Sequence, residues 1–248
     1  PRKGVDSLLE AWGQAFRRSD DVTLVLKTFP NPHNDIVGQL ERFRQRHADH
    51  AEIVLIDSDL DDGDIAGLYQ DCHALVLPSR GEGFGLPAAE AMLNGLPVIT
   101  TAHGGMVDFC SDENAWLVDF EFRYAESHMA LFNSVWADPI VEDLARVLKE
   151  VCAASPDARA RKTTKARKLV ETVFTWSAVA RRTQEAVAQL DLRPATTALP
   201  KIAVVSTWNM RCGIASYAQH QVSAFPAGTV QVFASRCDER LGPDEALV

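Results

Sequence analysis

Four short, uninterrupted apolar runs, each separated by helical periodicity, constrain the fold of this chain more than any other feature. VTLVLKTF (22–29), EIVLI (52–56), HALVLP (73–78) and PVITT (97–101) do not alternate apolar with polar residues. Continuous runs are what strands covered on both faces require, whereas a strand with one wet face alternates. Between and before them the period changes to 3.6. Residues 5–18 set Leu8, Leu9, Trp12 and Phe16 on one face, 34–47 reads as a polar helix, 65–70 as a short one and 86–94 as another. Strand and helix in turn predict an α/β fold built on a doubly wound parallel sheet. From 140 to 190 the chain becomes mostly helical: VEDLARVLKEVCAA is amphipathic, Pro156 opens a second helix, and 176–190 forms a third.

Residues 191–200, DLRPATTALP, have the composition of a linker. After them KIAVVST (201–207), a helix over 214–225 and VQVFAS (230–235) make one βαβ unit of a second α/β domain. The expected organisation is therefore a main domain over 1–190, a linker over 191–200 and a short second piece over 201–248. That piece is too small to complete a doubly wound sheet. With Pro1 in place of an initiator Met, the sequence is expected to be part of a longer polypeptide.

Composition removes several function classes. Against 34 acidic side chains stand 25 basic ones, a net charge of −9. Binding along a duplex requires a basic face, so no nucleic-acid partner is expected. No apolar run reaches the roughly 18 residues needed to span a bilayer. The five cysteines (72, 110, 152, 212, 237) form no C-x-x-C pair, which predicts reduced thiols, a cytoplasmic setting and no metal. His73, beside Cys72 in an apolar stretch, is expected to pack in the core. The acidic run Asp57, Asp59, Asp61, Asp62 and Asp64 invites a calcium loop, but that loop needs Gly sixth and Glu twelfth, where Asp62 and Leu68 stand. A solvated loop capping the helix at 65 accounts for it better. Arg159, Arg161, Lys162, Lys165, Arg167 and Lys168 read as a solvated helix face, with contact to an anionic membrane surface as the sharper alternative.

The chemistry is concentrated in PSRGEGFGLPAAEAMLNGLPVITTAHGG (78–105). A glycine-rich turn follows a strand and enters a helix with Pro87 in its first turn, where a missing N–H breaks no bond. The free N–H groups of Phe84, Gly85 and Leu86 then face whatever lies at the helix N-terminus, an arrangement that binds phosphate. Gly83-Phe-Gly85-Leu-Pro-Ala88 also fits the dinucleotide fingerprint, which wants an acid some 20 positions on to hold the ribose. The next strand ends in Thr100-Thr101-Ala102-His103, so a nicotinamide-dependent dehydrogenase is disfavoured. Two carboxylates bracket the turn instead. Glu90, one turn inside the helix, is placed to accept from a sugar diol, and Glu82 lies where a second sugar would project. The spacing fits a nucleotide-sugar: ribose to Glu90, diphosphate to the turn, transferred sugar to Glu82.

This stretch resembles the donor-binding motif of the retaining family-4 glycosyltransferases, which have the two-domain GT-B architecture. Glu82 and Glu90 match that family's Glu-x7-Glu pair. Pro1-Arg2-Lys3-Gly4 resembles its Arg-Lys-Gly segment, whose lysine contacts the donor diphosphate. Asp59-Leu60 falls where the family contacts the nucleobase, and Gly104, Gly105 and Asp108 match its Gly-Gly-x-x-acid segment. Phe174-Thr175-Trp176 resembles its C-terminal end. The resemblance implies catalytic roles for Glu82 and Lys3, and a donor site of Arg2, Lys3, Leu60, Glu82, Phe84, Gly85, Leu86 and Glu90. His103 is a further candidate near the donor sugar. No metal or other cofactor is implied. The partners would be a nucleotide-sugar donor and a glycan or lipid-linked acceptor in building a surface polysaccharide, in the cytoplasm or peripherally at the inner membrane.

Residues 201–220 resemble the opening of a glycosyltransferase N-terminal domain, which implies two modules in tandem. In the family the acceptor site comes from an N-terminal domain of the same chain, and a first strand precedes Arg2. The 248 residues are therefore expected to bind nucleotide without transferring sugar, and 201–207 to fill the vacant strand position. A catalytically inactive scaffold domain is the rival reading.

Overall fold

The computed structural model describes residues 2–30, 35–125, 134–191, 201–210 and 213–234. They belong to two compact units, Pro1–Arg182 and Thr183–Val248. The first unit runs α1 (Val5–Ala15), β1 (Thr23–Thr28), α2 (Ile36–Arg46), β2 (Glu52–Asp57), α3 (Asp62–Asp71), β3 (Leu75–Leu77), α4 (Leu86–Leu93) and β4 (Val98–Thr101). One turn of 3-10 helix (Gly105–Asp108) leads to β5 (Trp116–Val118) and the strands β6 (Phe120–Tyr124) and β7 (Val135–Pro139). Helices α5 (Val141–Ala153), α6 (Pro156–Val173) and α7 (Trp176–Asp191) follow, and α7 runs across the unit boundary.

The strands β3, β4 and β5 form a parallel sheet in that order, and β1 pairs in parallel with β2. The apolar runs are continuous because successive side chains enter different cores. Ile99, Trp116 and Val118 pack with Leu24 and Leu26 of β1 against Leu8 and Trp12 of α1, Phe43 of α2 and Leu144 of α5. Their chain neighbours Val98 and Ala115 join Met92, Met106, Phe109 and, from α6, Ala166 and Val170. All four residues of β4 are buried.

The α/β architecture is as expected, but the parallel strands are divided between two sheets that share the first core. The β1–β2 pair is also wetter on its other side, where Thr23, Lys27 and Val54 are exposed. A lysine inside the apolar run was the signal for this. The hairpin β6–β7 is antiparallel and was not foreseen. Its sequence FEFRY alternates, as a half-exposed strand does. His73 is exposed rather than packed in the core, because β3 begins two residues after it.

Local caps explain the helix starts. Asp61 accepts a hydrogen bond from the Asp64 N–H at 2.9 Å and so opens α3, as a capping loop should. Ser155 caps α6 by accepting from the Ala158 N–H at 3.2 Å, with Pro156 in the first turn. Three cations of the basic run on α6 are engaged inside the protein. Lys162 donates to the carbonyls of Asp112 and Ala115 at 2.7 Å each, Lys165 pairs with Glu113 and Arg167 with Glu171. A membrane surface would therefore meet less free charge than the sequence suggests. Among the described residues no helix is long and apolar enough to cross a membrane.

In the second unit β8 (Ile202–Val205), α8 (Gly213–Ser223) and β9 (Val230–Phe233) form a parallel βαβ unit. Its small core contains Trp208, Ala218, Val222, Val230 and Val232. Among the described residues the ladder partner of β8 is β9, as the expected βαβ unit requires. The physical reason is proximity: a partner delivered by the strand's own crossover helix requires a short loop closure, at small entropic cost. The expected linker beyond Asp191 and the end of the chain lie outside the described residues, as do Cys212 and Cys237.

Candidate active site

The C-terminal end of β3 continues into Pro78, Ser79 and Arg80, then the turn 81–85, then α4. Arg2 and Lys3 reach this turn through Gly4. Its φ of 67° is left-handed, and a Cβ there would lie 2.0 Å from the Pro78 carbonyl oxygen. Only glycine permits so close an approach. The Arg80 N–H donates to the Arg2 carbonyl at 2.9 Å and fixes the segment in place.

Glu82 is the centre of this contact. Lys3 Nζ and the Ser79 hydroxyl both donate to its Oε1, the latter at 2.9 Å. The Arg2 guanidinium stands 3.2 Å from Oε2 and donates to the Gly81 carbonyl at 2.8 Å. Burial alone would raise the Glu82 pKa. The hydrogen bonds from Lys3 and Ser79 and the charges of Lys3 and Arg2 outweigh it and hold the carboxyl below the ordinary 4.5. A depressed carboxyl stabilises the fold above its unfolded pKa and loses that contribution as pH falls through the folded one. The stability gap between the natural chain and Glu82→Gln is therefore expected to be full above about pH 5 and to close in more acidic solution. Urea unfolding of both across pH 3 to 7 checks this, and a gap that does not change with pH contradicts it.

At the start of α4 the N-cap is Gly85, which offers no side-chain cap. Among the described residues the N–H groups of Phe84, Gly85 and Leu86 have no acceptor. They sit at the positive end of the helix. The Phe84 ring turns inward, 4.9 Å from Phe109 and 5.6 Å from Phe174, and anchors the turn while its N–H stays free. Leu86 is exposed. On the opposite flank the Gly105 N–H donates to the Glu82 carbonyl at 3.0 Å, so the Gly104-Gly105 loop lies directly on the turn. Asp108 ends the 3-10 turn and is exposed. His103 packs instead on the hairpin, its ring 5.1 Å from Phe120 and 5.3 Å from Phe122.

Glu90 is exposed on α4 and accepts a 2.9 Å hydrogen bond from the Tyr69 hydroxyl of α3. Leu60 is half-buried in the loop between β2 and α3, and Trp176 is exposed at the start of α7. The structure thus joins Arg2, Lys3 and Glu82 in one cluster, with the turn beside it and Glu90 in the helix that follows. Ser79, Tyr69 and Arg80 were not anticipated. Arg80 is buried, makes a two-bonded contact with Asp6 at 2.7 and 2.8 Å, and donates to Asp138 of β7 at 2.5 Å and to the Ser7 hydroxyl at 2.9 Å. Among the described residues no group of three His, Cys, Asp or Glu side chains could hold a metal ion.

A parallel-sheet strand that runs through a glycine-rich turn into a helix, within an α/β fold of parallel sheets, defines the class as the α/β fold of GT-B glycosyltransferases. Residues 1–154 match the family of glycosyl transferases group 1, and the chain belongs to that family. It is 33% identical over 108 residues to the MMP alpha-(1->4)-mannosyltransferase of Mycolicibacterium hassiacum, covering 43% of this chain and 24% of that protein. Mannosylfructose-phosphate synthase of Agrobacterium fabrum is 30% identical over 108 residues, covering 42% and 24%. Sucrose-phosphate synthase from Thermosynechococcus elongatus superposes with a TM-score of 0.57 at 25% identity, over 77% of this chain and 43% of that one. The matched stretch is thus about a quarter of the length of these curated relatives.

Proposed function

We propose that this chain is the donor-binding part of a retaining glycosyltransferase, which transfers a hexose from a nucleoside-diphosphate sugar to a glycan or lipid-linked acceptor. The observation that carries this is the free N–H cluster at the start of α4, with Lys3 and Glu82 on one side and Glu90 on the other. Transfer builds negative charge on the leaving diphosphate. In this reading the helix end and Lys3 stabilise that charge, the electrostatic contribution that usually dominates, without a resident cofactor. Glu82 orients the transferred sugar, Glu90 holds the ribose and Leu60 lines the base. Relatives named for mannosyl transfer support a hexose donor.

Calorimetric titration with UDP, GDP, ADP and NAD tests the reading. One nucleoside diphosphate is expected to bind, and Glu90→Ala to weaken it about tenfold or more, the worth of one charge-assisted hydrogen bond. Binding of NAD alone would revive a dehydrogenase. Binding of none would leave an inactive scaffold domain.

A further inference from the structure

Glu90 stands exposed on a helix, where a glutamate ordinarily samples many rotamers. Freezing such a side chain costs rotamer entropy. A carboxylate meant to hold a ligand gains affinity when that ordering is complete before the ligand arrives. The structure supplies the means. The Tyr69 hydroxyl donates to Glu90 Oε2 at 2.9 Å, a shorter contact than the 3.3 Å to the competing Pro87 carbonyl. Its ring packs against the second core, the one that also holds Met92 and Phe109. Glu90 Oε1 has no partner among the described residues. One carboxylate oxygen is thus fixed by a rigid donor and the other is presented.

We infer that Tyr69 is a positioning residue for Glu90, and that the Tyr69–Glu90 pair makes the site discriminate ribonucleotides from nucleotides lacking the ribose hydroxyls. The inference rests on the reading of Glu90 as the ribose ligand. Tyr69 also belongs to α3, which begins directly after Leu60. The bond to Glu90 links this helix to α4, beside the packing of the Tyr69 ring on their shared core. Through it the loop assigned to the base and the carboxylate assigned to the ribose are held by one element. Burial, and then the bond to Glu90 and its charge, raise the Tyr69 hydroxyl above a free tyrosine's pKa, so it stays a donor wherever the protein is folded.

The test compares the natural chain, Tyr69→Phe and Glu90→Gln in calorimetric titrations with UDP, GDP and ADP and with their 2′,3′-dideoxy forms. Tyr69→Phe keeps the half-buried ring and removes only the donor. It is expected to lower the affinity for the ribonucleotide about three- to tenfold and to leave the dideoxy affinity unchanged, so that the ratio between them shrinks. A structural role alone would weaken both forms alike and overturns the inference, as does an unchanged ratio. Glu90→Gln separates the two layers. A collapsed ratio in Glu90→Gln with an intact one in Tyr69→Phe defeats the Tyr69 role alone. An intact ratio in Glu90→Gln, or no binding by any of the nucleotides, defeats the ribose reading and the inference with it.

Discussion

Arg80→Ala is expected to lower the stability of the first unit by about 3 kcal/mol, read as a shift in the urea midpoint. The Arg80 side chain is only 6% exposed and lies between two carboxylates of distant origin, Asp6 at the start of α1 and Asp138 in β7. Its guanidinium also stacks over Trp136, 5.1 Å from the ring centre. Burial would lower the Arg80 pKa, yet its bonds to and the charges of Asp6 and then Asp138 raise it. Removing one partner of a buried pair leaves the other's charge desolvated, which costs about 3–5 kcal/mol. Here the lower end applies. Asp6 is 56% exposed and returns to water readily, whereas Asp138 is 17% exposed and, among the described residues, keeps an ion pair with Arg123 at 3.4 Å. Asp6→Asn should therefore cost much less than Arg80→Ala. Arg80→Lys should not restore the loss, because an ammonium cannot make the two parallel bonds to Asp6. A loss below about 1 kcal/mol for Arg80→Ala would show that this cluster does not tie the hairpin to the turn.

The contrast between Arg80 and Glu82 shows what sequence can carry. Glu82 and Glu90 stand out as candidates in the sequence because local pattern alone singles them out: a turn, a helix start and a fixed separation. Arg80 lies two residues from Glu82 but acts on partners 74 and 58 positions away, and no local period announces such a contact. Tyr69 is hidden for the same reason, since it meets Glu90 only once α3 and α4 are packed. The strands covered on both faces were legible as short runs without alternation, even in β4, where Thr100 and Thr101 are buried beside Val98 and Ile99. The hairpin β6–β7 was missed because one alternating strand of five residues is a weaker signal than a continuous apolar run. For β8 the apolar run, the helical stretch over 214–225 and the run at 230–235 together identified a βαβ unit, and β8 pairs with β9 in parallel as that unit requires.

Gly105→Ala is expected to reduce nucleotide affinity at least tenfold and to destabilise the fold by about 1–3 kcal/mol. A Cβ at this position would lie 1.8 Å from the Gly83 carbonyl oxygen, 2.5 Å from its carbon and 3.1 Å from Phe84 Cα. All three are backbone atoms of the turn 81–85, so no side chain can swing aside to make room. Either the 104–108 segment moves out and breaks the 3.0 Å bond from the Gly105 N–H to the Glu82 carbonyl, or the turn itself shifts. The turn is held on every side: Glu82 by Lys3 and Ser79, and the Phe84 ring by Phe109 and Phe174. Under the proposed function, a shift of even 1 Å would misdirect the N–H groups of residues 84–86 from the donor diphosphate, since charge-assisted bonds depend on direction. Gly67→Ala provides the control, since a Cβ there meets nothing within 4 Å and alanine favours the helix α3. That variant should melt at or above the natural chain's temperature and bind nucleotide unchanged. If Gly105→Ala behaves like Gly67→Ala in melting and in titration, the Gly-Gly loop does not shape the site. If it melts normally yet fails to bind, the loop acts on the turn's geometry alone, the result that would tie the second glycine pair most directly to donor recognition.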